Sequence, residues 1–520
     1  MDQIVSQQRR RGRKARRAQR LEEQPSRAVE PGLMGGAYKP LATSDIERIH
    51  ATALDVLENL GMANPLPILR DHALARGCTI DDKGRLHFPR GLVEDVVADA
   101  ARGFVLEARD PRYDCDLSST RVHFATGGEA VTVPDFETGQ YRPSTVVDLY
   151  DLARLADRLE HIHIFSSVVV PTNIESVREQ DLGAVYACVS GTAKHSFIGF
   201  SNGEHVEDVY AMLYDIAGGE DAFRKRPFIS SGGCPVVSPL GYGDDNSLSC
   251  LETARMGGVA SIVMAPQAGA TSPAALAGTL VQSTAETLAG LLLVNLVYPG
   301  HPVIFGNWPF VSDLRTGAFS GGGGEEAVLN AAAAQIANFY DLPSSVGAGM
   351  TDSKACDNQA GYEKGVTNAL AALAGANMVA EAPGMLGSLM ACSFEAMVID
   401  NDMLGCIQRA LRGIEVTDET LSYDVIAEAV DGPGHYLGHV QTLDLMETEY
   451  LYPDIGDRSS PDEWAEKGAP DIRDVARERV RDILSSHYPD YIDDATDTKL
   501  RERFPIALPR DAMRASCGRW

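Results

Sequence analysis

The chain has 520 residues, a formal net charge of −27 and 44% hydrophobic residues, and its nine cysteines include no CxxC pair. That length and apolar content support one large barrel, roughly 250 residues in its usual form, with elaborated termini. The acidic balance disfavours nucleic acid as a partner, and the scattered thiols disfavour a zinc ribbon, an iron–sulfur cluster or a disulfide framework.

Basic residues gather at the start: eight of the 46 Lys and Arg lie in residues 9–20. Asp2 is the one acidic residue of the first twenty, so the rest carries 38 basic against 72 acidic residues, a net of −34. Residues 1–36 read as a disordered basic arm or a subunit contact rather than an RNA tether. Twin arginines with no apolar stretch behind them do not make a secretory or twin-arginine signal. The most apolar run, residues 288–300, is short and holds Asn295 and Pro299. The expectation is a cytoplasmic protein that spans no membrane.

Residues 37–143 read as a helical and β-hairpin cap. SDIERIHATALDVLENLG has apolar positions at helical spacing, with Ser44 as N-cap, Glu47 three residues on and Gly61 as terminator. PILRDHALARG and GLVEDVVADAA are two further helices flanking a hairpin at DDKGRLHFP. FVLEARDP to VTVPDFETGQYRP follows as antiparallel hairpins, with turns at Thr126-Gly127-Gly128 and Glu137-Thr138-Gly139.

Over residues 144–456 strand, polar turn and helix alternate, the rhythm of a parallel α/β protein, and the fold class expected is a (β/α)8 barrel. VVDLYDLARLADRL is the lead-in helix. HIHIFSSVVV, AKHSFIGFS, PFISSGGCPVV, SIVMAPQ, PVIFGNWP, SSVGAGMT and NMVAEAPGM give seven strands. The eighth lies near HYLGHVQTL or comes from an N-terminal segment. Residues 457–520 form a wrapping segment with two short helices.

No GxxxxGK[ST], HExxH or post-strand GxGxxG occurs, and no metal site is expected. Gly321 to Gly324 read as a flexible connection in preference to a phosphate grip. His161 and His163 share a strand face and read as structural, and the Gly and Pro around His435 and His439 undercut a shared helical turn. The turns after parallel barrel strands converge on one face. There the sequence places Phe200, Gln267, Asn307, Trp308, Phe310 and Met350, with the carboxylates Asp352 and Glu381. Aromatic faces with few cations suit a quaternary ammonium group through cation–π attraction. The plainer alternative is that Phe200 and Met350 fill barrel layers.

From about residue 40 to 446 the chain resembles the corrinoid-dependent trimethylamine methyltransferase superfamily. The matching stretches are LDVLENLGM, HFATGGEAVTVPDFETGQYRPST, VVDLYDLARLADRL, SDLRTGAFSGGGGEEAVLNAAAAQIANFYDLP and, above all, GMTDSKACDNQAGYEKGVTNALAALAGANMV. The resemblance implies a (β/α)8 barrel that moves a methyl group from an amine onto the cobalt of a separate corrinoid protein. In the founding trimethylamine enzymes pyrrolysine precedes the segment resembling TDSK, a place taken here by Met350. A quaternary ammonium leaves as a neutral tertiary amine without prior activation, so this departure points to glycine betaine, proline betaine or carnitine. No DxHxxG cobalamin motif occurs, so the corrinoid (cobalamin) is expected on a partner, with no cofactor bound by this chain and a homo-oligomeric state.

On that reading Met350, Asp352 and Glu381 are the catalytic candidates, and Phe200, Gln267, Asn307, Trp308, Phe310 and Arg315 bind the substrate. Arg315 either meets a substrate carboxylate or pairs with Asp313. The rivals are trimethylamine or a sulfonium as methyl donor, a noncatalytic barrel that binds methylated amines, and a barrel lyase with Lys354 at its mouth.

Overall fold

The computed structural model describes residues 27–520, so most of the basic arm expected over 1–36 lies outside the described residues. Chain contacts divide it into two compact units: Pro31–Ile407 with Ile455–Trp520, and Gln408–Asp454 with residues 27–30.

The larger unit opens with cap helices α1 (Thr43–Asp55), α2 (Pro67–Ala75) and α3 (Arg90–Asp99), and a hairpin pairing Thr79–Ile80 with Leu86–His87. Ser44 is not the N-cap: the amides of Asp45 and Ile46 already reach the carbonyl of Ala42, which caps α1 through its backbone.

The barrel is built from eight parallel strands: β1 (Arg121–Phe124), β2 (Ile164–Ser166), β3 (His195–Gly199), β4 (Ile229–Gly233), β5 (Val259–Met264), β6 (Val303–Asn307), β7 (Ser344–Gly347) and β8 (Met378–Ala380). Each neighbour pairs in parallel from β2 to β8. Closure comes through β1, whose His123 and Phe124 pair with Met378 and Val379 of β8. On its other edge the Phe124 carbonyl accepts the His163 amide at 2.8 Å, and the Thr126 amide reaches the Ile164 carbonyl at 3.1 Å. The eighth strand is therefore an N-terminal segment inside the stretch read as hairpins, and the barrel starts before residue 144. HYLGHVQTL instead contributes the short helix Val440–Leu445 of the smaller unit.

The helices between strands are α4 (Val146–Arg158), α5 (Val177–Gly191), α6 (Val206–Ala217), α7 (Asp244–Met256), α8 (Leu276–Val297), α9 (Gly324–Tyr340) and α10 (Asn358–Ala374), with α11 (Phe394–Arg412) after β8. Helix α4 begins at a capping box between Thr145 and Asp148, which satisfies the first free amides reciprocally. Helix α8 runs 22 residues, through Asn295, whose side-chain oxygen accepts the Gly300 amide at 3.0 Å. It is apolar all round because it is buried on every side, between the cap helices α1 to α3 and strands β5 and β6. The C-terminal segment has three α-helices where two were expected: Pro461–Glu466, Ile472–Ser486 and Asp494–Arg503. Its anchor is the fully buried Arg154 of α4, which donates to the Leu484 carbonyl at 2.6 Å and the His487 carbonyl at 2.8 Å and pairs with Asp151.

Candidate functional site

Trp308 is the first residue after β6. Its indole N–H donates to Ser345 Oγ on β7 at 2.9 Å, so the ring is fixed across two strands. Phe310 follows in a short strand paired with Gln267, and its ring stands 6.3 Å from Trp308 and 5.1 Å from Phe319. These rings lie over the end of β7, where a Cβ on Gly347 would come within 2.8 Å of both Trp308 and Phe310. The fully buried Met350 belongs to the same apolar cluster. Trp308, Phe310 and Met350 are thus brought together at the C-terminal end of the barrel, while Phe200, buried after β3, is not among that cluster's members.

Glu381 comes first after β8 with a left-handed backbone (φ 62°), a conformation uncommon outside glycine. It is 1% exposed. The Gly128 amide donates to its Oε1 at 3.3 Å, while Oε2 has no partner. Gly127 packs directly on this carboxyl: a Cβ there would fall 1.5 Å from Oε2, so a larger residue would have to displace it. Burial pushes the Glu381 pKa up to about 8 against the Gly128 hydrogen bond, with the charge of Glu129 adding to the rise. Glu129 is walled by protein yet reachable by solvent, accepts Ser167 Oγ at 2.9 Å and is itself raised by desolvation.

Behind these turns stands a set of buried acceptors of which the sequence reading picked out only Asn307. Glu326, in the first turn of α9, is fully buried with neither carboxyl oxygen partnered. Burial, then the charges of Asp352, Glu381 and Glu363, hold its pKa well above the usual carboxylate range. Asn307, Asn330 and Asn368 spend their amide N–H groups on Thr284, the Glu326 carbonyl and the Ala382 carbonyl, and each leaves its side-chain oxygen unpartnered. The available signal was Glu326 with Asn330 one turn on, the polar pair in the small and apolar EEAVLNAAAAQ.

Asp352 plays a different part from the catalytic one expected. Its oxygens accept Ser320 Oγ at 2.8 Å, the Gly321 amide at 2.7 Å and Ser388 Oγ at 2.5 Å, so one carboxylate ties the turns after β6, β7 and β8 together. Glu363 does similar work, accepting Thr351 Oγ1 and the Asp352 amide. The glycine run is a close-packed turn rather than a slack link, since a Cβ on Gly322 would meet the Glu363 carboxyl at 2.6 Å.

Gln267 is partly buried and accepts Ser312 Oγ at 3.0 Å. Arg315 is not positioned for a substrate: it forms a two-pronged pair with Asp313 (2.9 and 2.8 Å), and its side chain is 89% exposed. Lys354 is exposed and donates to the Asp352 carbonyl. His163 Nδ1 accepts the Phe124 amide and acts in the barrel wall. His439 caps the helix Val440–Leu445 that His435 precedes, so the two share no helical turn. Among the described residues no group of three or more His, Cys, Asp and Glu is arranged to hold a metal ion. The arrangement offers aromatic faces, a buried ionisable carboxyl and unpartnered acceptors, which is suited to a small organic cation.

The family model described as trimethylamine methyltransferase (MTTB) matches residues 9–506. The trimethylamine methyltransferase MttB of Desulfitobacterium hafniense (strain DSM 10664 / DCB-2) is 34% identical over 459 residues, covering 88% of this chain and 91% of that protein. The namesake enzyme of Methanosarcina thermophila is 34% identical over 466 residues, covering 89% and 96%. The glycine betaine methyltransferase of Desulfitobacterium hafniense (strain Y51) is 32% identical over 471 residues, again 89% and 96%. Among solved structures, the Methanosarcina barkeri monomethylamine methyltransferase MtmB aligns with a TM-score of 0.46 and 13% identity, over 85% of this chain and 94% of that one. With a family match over nearly the whole length and relatives above 30% identity at both trimethylamine and glycine betaine, this chain belongs to the trimethylamine methyltransferase family and is an amine methyltransferase.

Proposed function

We propose that the chain takes a methyl group from a quaternary ammonium compound, a betaine first, and delivers it to the corrinoid of a partner protein in the cytoplasm. The observation that carries this reading is Met350, fully buried in the apolar cluster that also holds Trp308, Phe310 and Ala380, the residue before Glu381. A thioether supplies no group to activate a tertiary amine, whereas a quaternary nitrogen needs none. The match to a glycine betaine methyltransferase supports the same substrate class, and nine unpaired cysteines suit a reducing compartment.

The partner's corrinoid would supply the Co(I) nucleophile that accepts the methyl as the C–N bond breaks. The chain's own residues have three tasks. Trp308 and Phe310 hold the cation by their ring faces. Glu381, ionised once a cation stands beside it, balances the charge until the neutral amine departs. The apolar cluster around Met350 excludes water and fixes which methyl faces outward. Arg315 has no role in this scheme, and a betaine carboxylate would rely on neutral donors.

Trimethylamine is the second reading. Glu381 favours it, because a carboxyl with a pKa of about 8 is protonated at neutral pH and able to give a proton to departing dimethylamine. Turnover with a supplied Co(I) corrinoid protein decides between them. Betaine demethylation with little trimethylamine turnover supports the first reading, and trimethylamine outrunning every betaine overturns it.

A further inference from the structure

We infer that Glu129 is a second substrate-binding carboxylate, meeting the ammonium group from the β2–β3 side of the barrel mouth. This contact presupposes that the chain takes a methylated ammonium compound, and it adds a charged wall to the rings and Glu381.

The segment that leaves β1 packs on Glu381, whose Oε1 accepts the Gly128 amide at 3.3 Å. One residue on, the Glu129 side chain reaches across the next two strands. Its Oε1 accepts Ser167 Oγ, just past β2, at 2.9 Å, and a Cβ on Gly199, the last residue of β3, would stand 3.0 Å from the same oxygen. Side chains alternate between the faces of a strand, so Gly199 shares its face with Phe197. Phe197 packs against the cluster that holds Trp308, Phe310 and Met350. The carboxyl therefore stands over the barrel interior, next to the ring that borders the aromatic mouth.

Exposure marks a hollow on that side. Phe197 and Gly199 are partly exposed while Ser196, Ile198 and Phe200 are buried, and Cys234, the first residue after β4, is exposed and feels the charge of Glu129. Glu129 is itself exposed although protein surrounds it, so solvent meets it through the mouth.

Nothing in the protein balances this carboxylate. Ser167 is its one hydrogen-bond donor among the described residues, and no Lys, Arg or His pairs with it. Desolvation raises its pKa against the Ser167 hydrogen bond, and the charge of Asp181 adds to the rise. Asp181 is engaged by His205 at 2.7 Å and the Ser201 amide at 3.1 Å, and Asp352 by its three donors, while Glu381 is closed to solvent. Glu129 is thus the carboxylate with both a free oxygen and an open approach. A walled carboxylate without a counter-charge selects a cation over a neutral or anionic occupant. It also orients a betaine, whose own carboxylate must turn away from this wall.

Isothermal titration of the full chain with tetramethylammonium, glycine betaine and 3,3-dimethylbutanoate, the carbon isostere of glycine betaine, isolates the charge contribution. The unmodified chain should bind betaine about tenfold or more tightly than the isostere. Glu129→Gln should weaken tetramethylammonium about tenfold and shrink the betaine preference by a similar factor. A residue that only shapes the mouth would weaken betaine and isostere alike. Should Glu129→Gln misfold, Glu129→Asp keeps the charge but draws it back by one methylene, and the preference should fall about threefold. An unchanged preference, or equal losses for betaine and isostere, overturns the role of Glu129. Tetramethylammonium has neither a carboxylate nor an N–H, so its result holds whether betaine or trimethylamine proves to be the methyl donor, which turnover with a Co(I) corrinoid protein decides separately. An unmodified chain that binds neither tetramethylammonium nor betaine overturns this contact and the quaternary ammonium substrate together.

Discussion

Replacing Glu381 by Gln separates the carboxyl's two contributions, because the group that aids a cation weakens the fold. In the empty protein its pKa is about 8 and burial is the main cause. A cation in the mouth selects the ionised form, so at pH 7 about nine molecules in ten must lose a proton on binding. Affinity should rise about tenfold from pH 7 to pH 9 and then level off, equivalent to about 1.4 kcal/mol. For stability the sign is opposite. A folded pKa raised above the reference value of 4.5 favours the folded state below that value, and this advantage is lost as pH rises towards 8. At pH 7 the penalty is on the order of 3 kcal/mol, so Glu381→Gln should raise the melting temperature by a few degrees while abolishing the pH dependence of binding. Isothermal titration of a quaternary ammonium ligand, in buffers of differing ionisation enthalpy from pH 6 to 9, counts the protons released. Affinity flat across that range, or a variant that binds with the original pH profile, would refute the assignment of charge balance to this carboxyl.

Trp308→Ala should weaken ligand binding by about 1 to 2 kcal/mol and Trp308→Phe by less, measured in the same titration after thermal unfolding has shown both variants folded. Gly127→Ala should abolish binding while the barrel survives, since its Cβ displaces the Glu381 carboxyl from 1.5 Å away; wild-type affinity would disprove that contact. Arg315→Ala should leave betaine turnover unchanged and shift stability by less than about 0.5 kcal/mol, because an exposed pair with Asp313 contributes little. Purified protein should contain no stoichiometric cobalt by elemental analysis, and methyl transfer should require added corrinoid protein.

Seven barrel strands were legible because each is a short apolar run closed by a Gly or Pro turn, the pattern that burial on both faces imposes. The eighth was not, for a physical reason. Arg121–Phe124 is only four residues long and lies among genuine antiparallel pairs such as Val105–Leu106 with Cys115–Asp116, so its local pattern matches theirs. Its parallel partners lie 38 or more residues away in the chain, and pairing at that distance leaves no trace in its local pattern. The aromatic residues of the mouth were visible for the same reason as the strands, since they directly follow them. Glu326 and Asn368 reach that region from helices, where a lone polar residue looks like a solvated face until tertiary packing buries it. Asp352 shows the converse: adjacency to a strand end marked it as chemistry, but the donors that occupy it come from Ser320, Gly321 and Ser388, which only the closed barrel brings together.

Helix α8 also bears on how the chain is made. It is long and apolar enough to pass for a membrane span, and 83% of that apolar window is buried inside the protein. Its cap partners α1 to α3 lie more than 170 residues nearer the N-terminus, so during synthesis they leave the ribosome first and are available to shield it as it emerges. Barrel strand β6 arrives immediately afterwards to cover another side. The order of the chain therefore shortens the interval in which a 22-residue greasy helix is open to aggregation or to capture by the insertion machinery. Grafting the cap onto the C-terminus by circular permutation would leave the same helices to pack together, yet it would lengthen that interval to about half the time of translation.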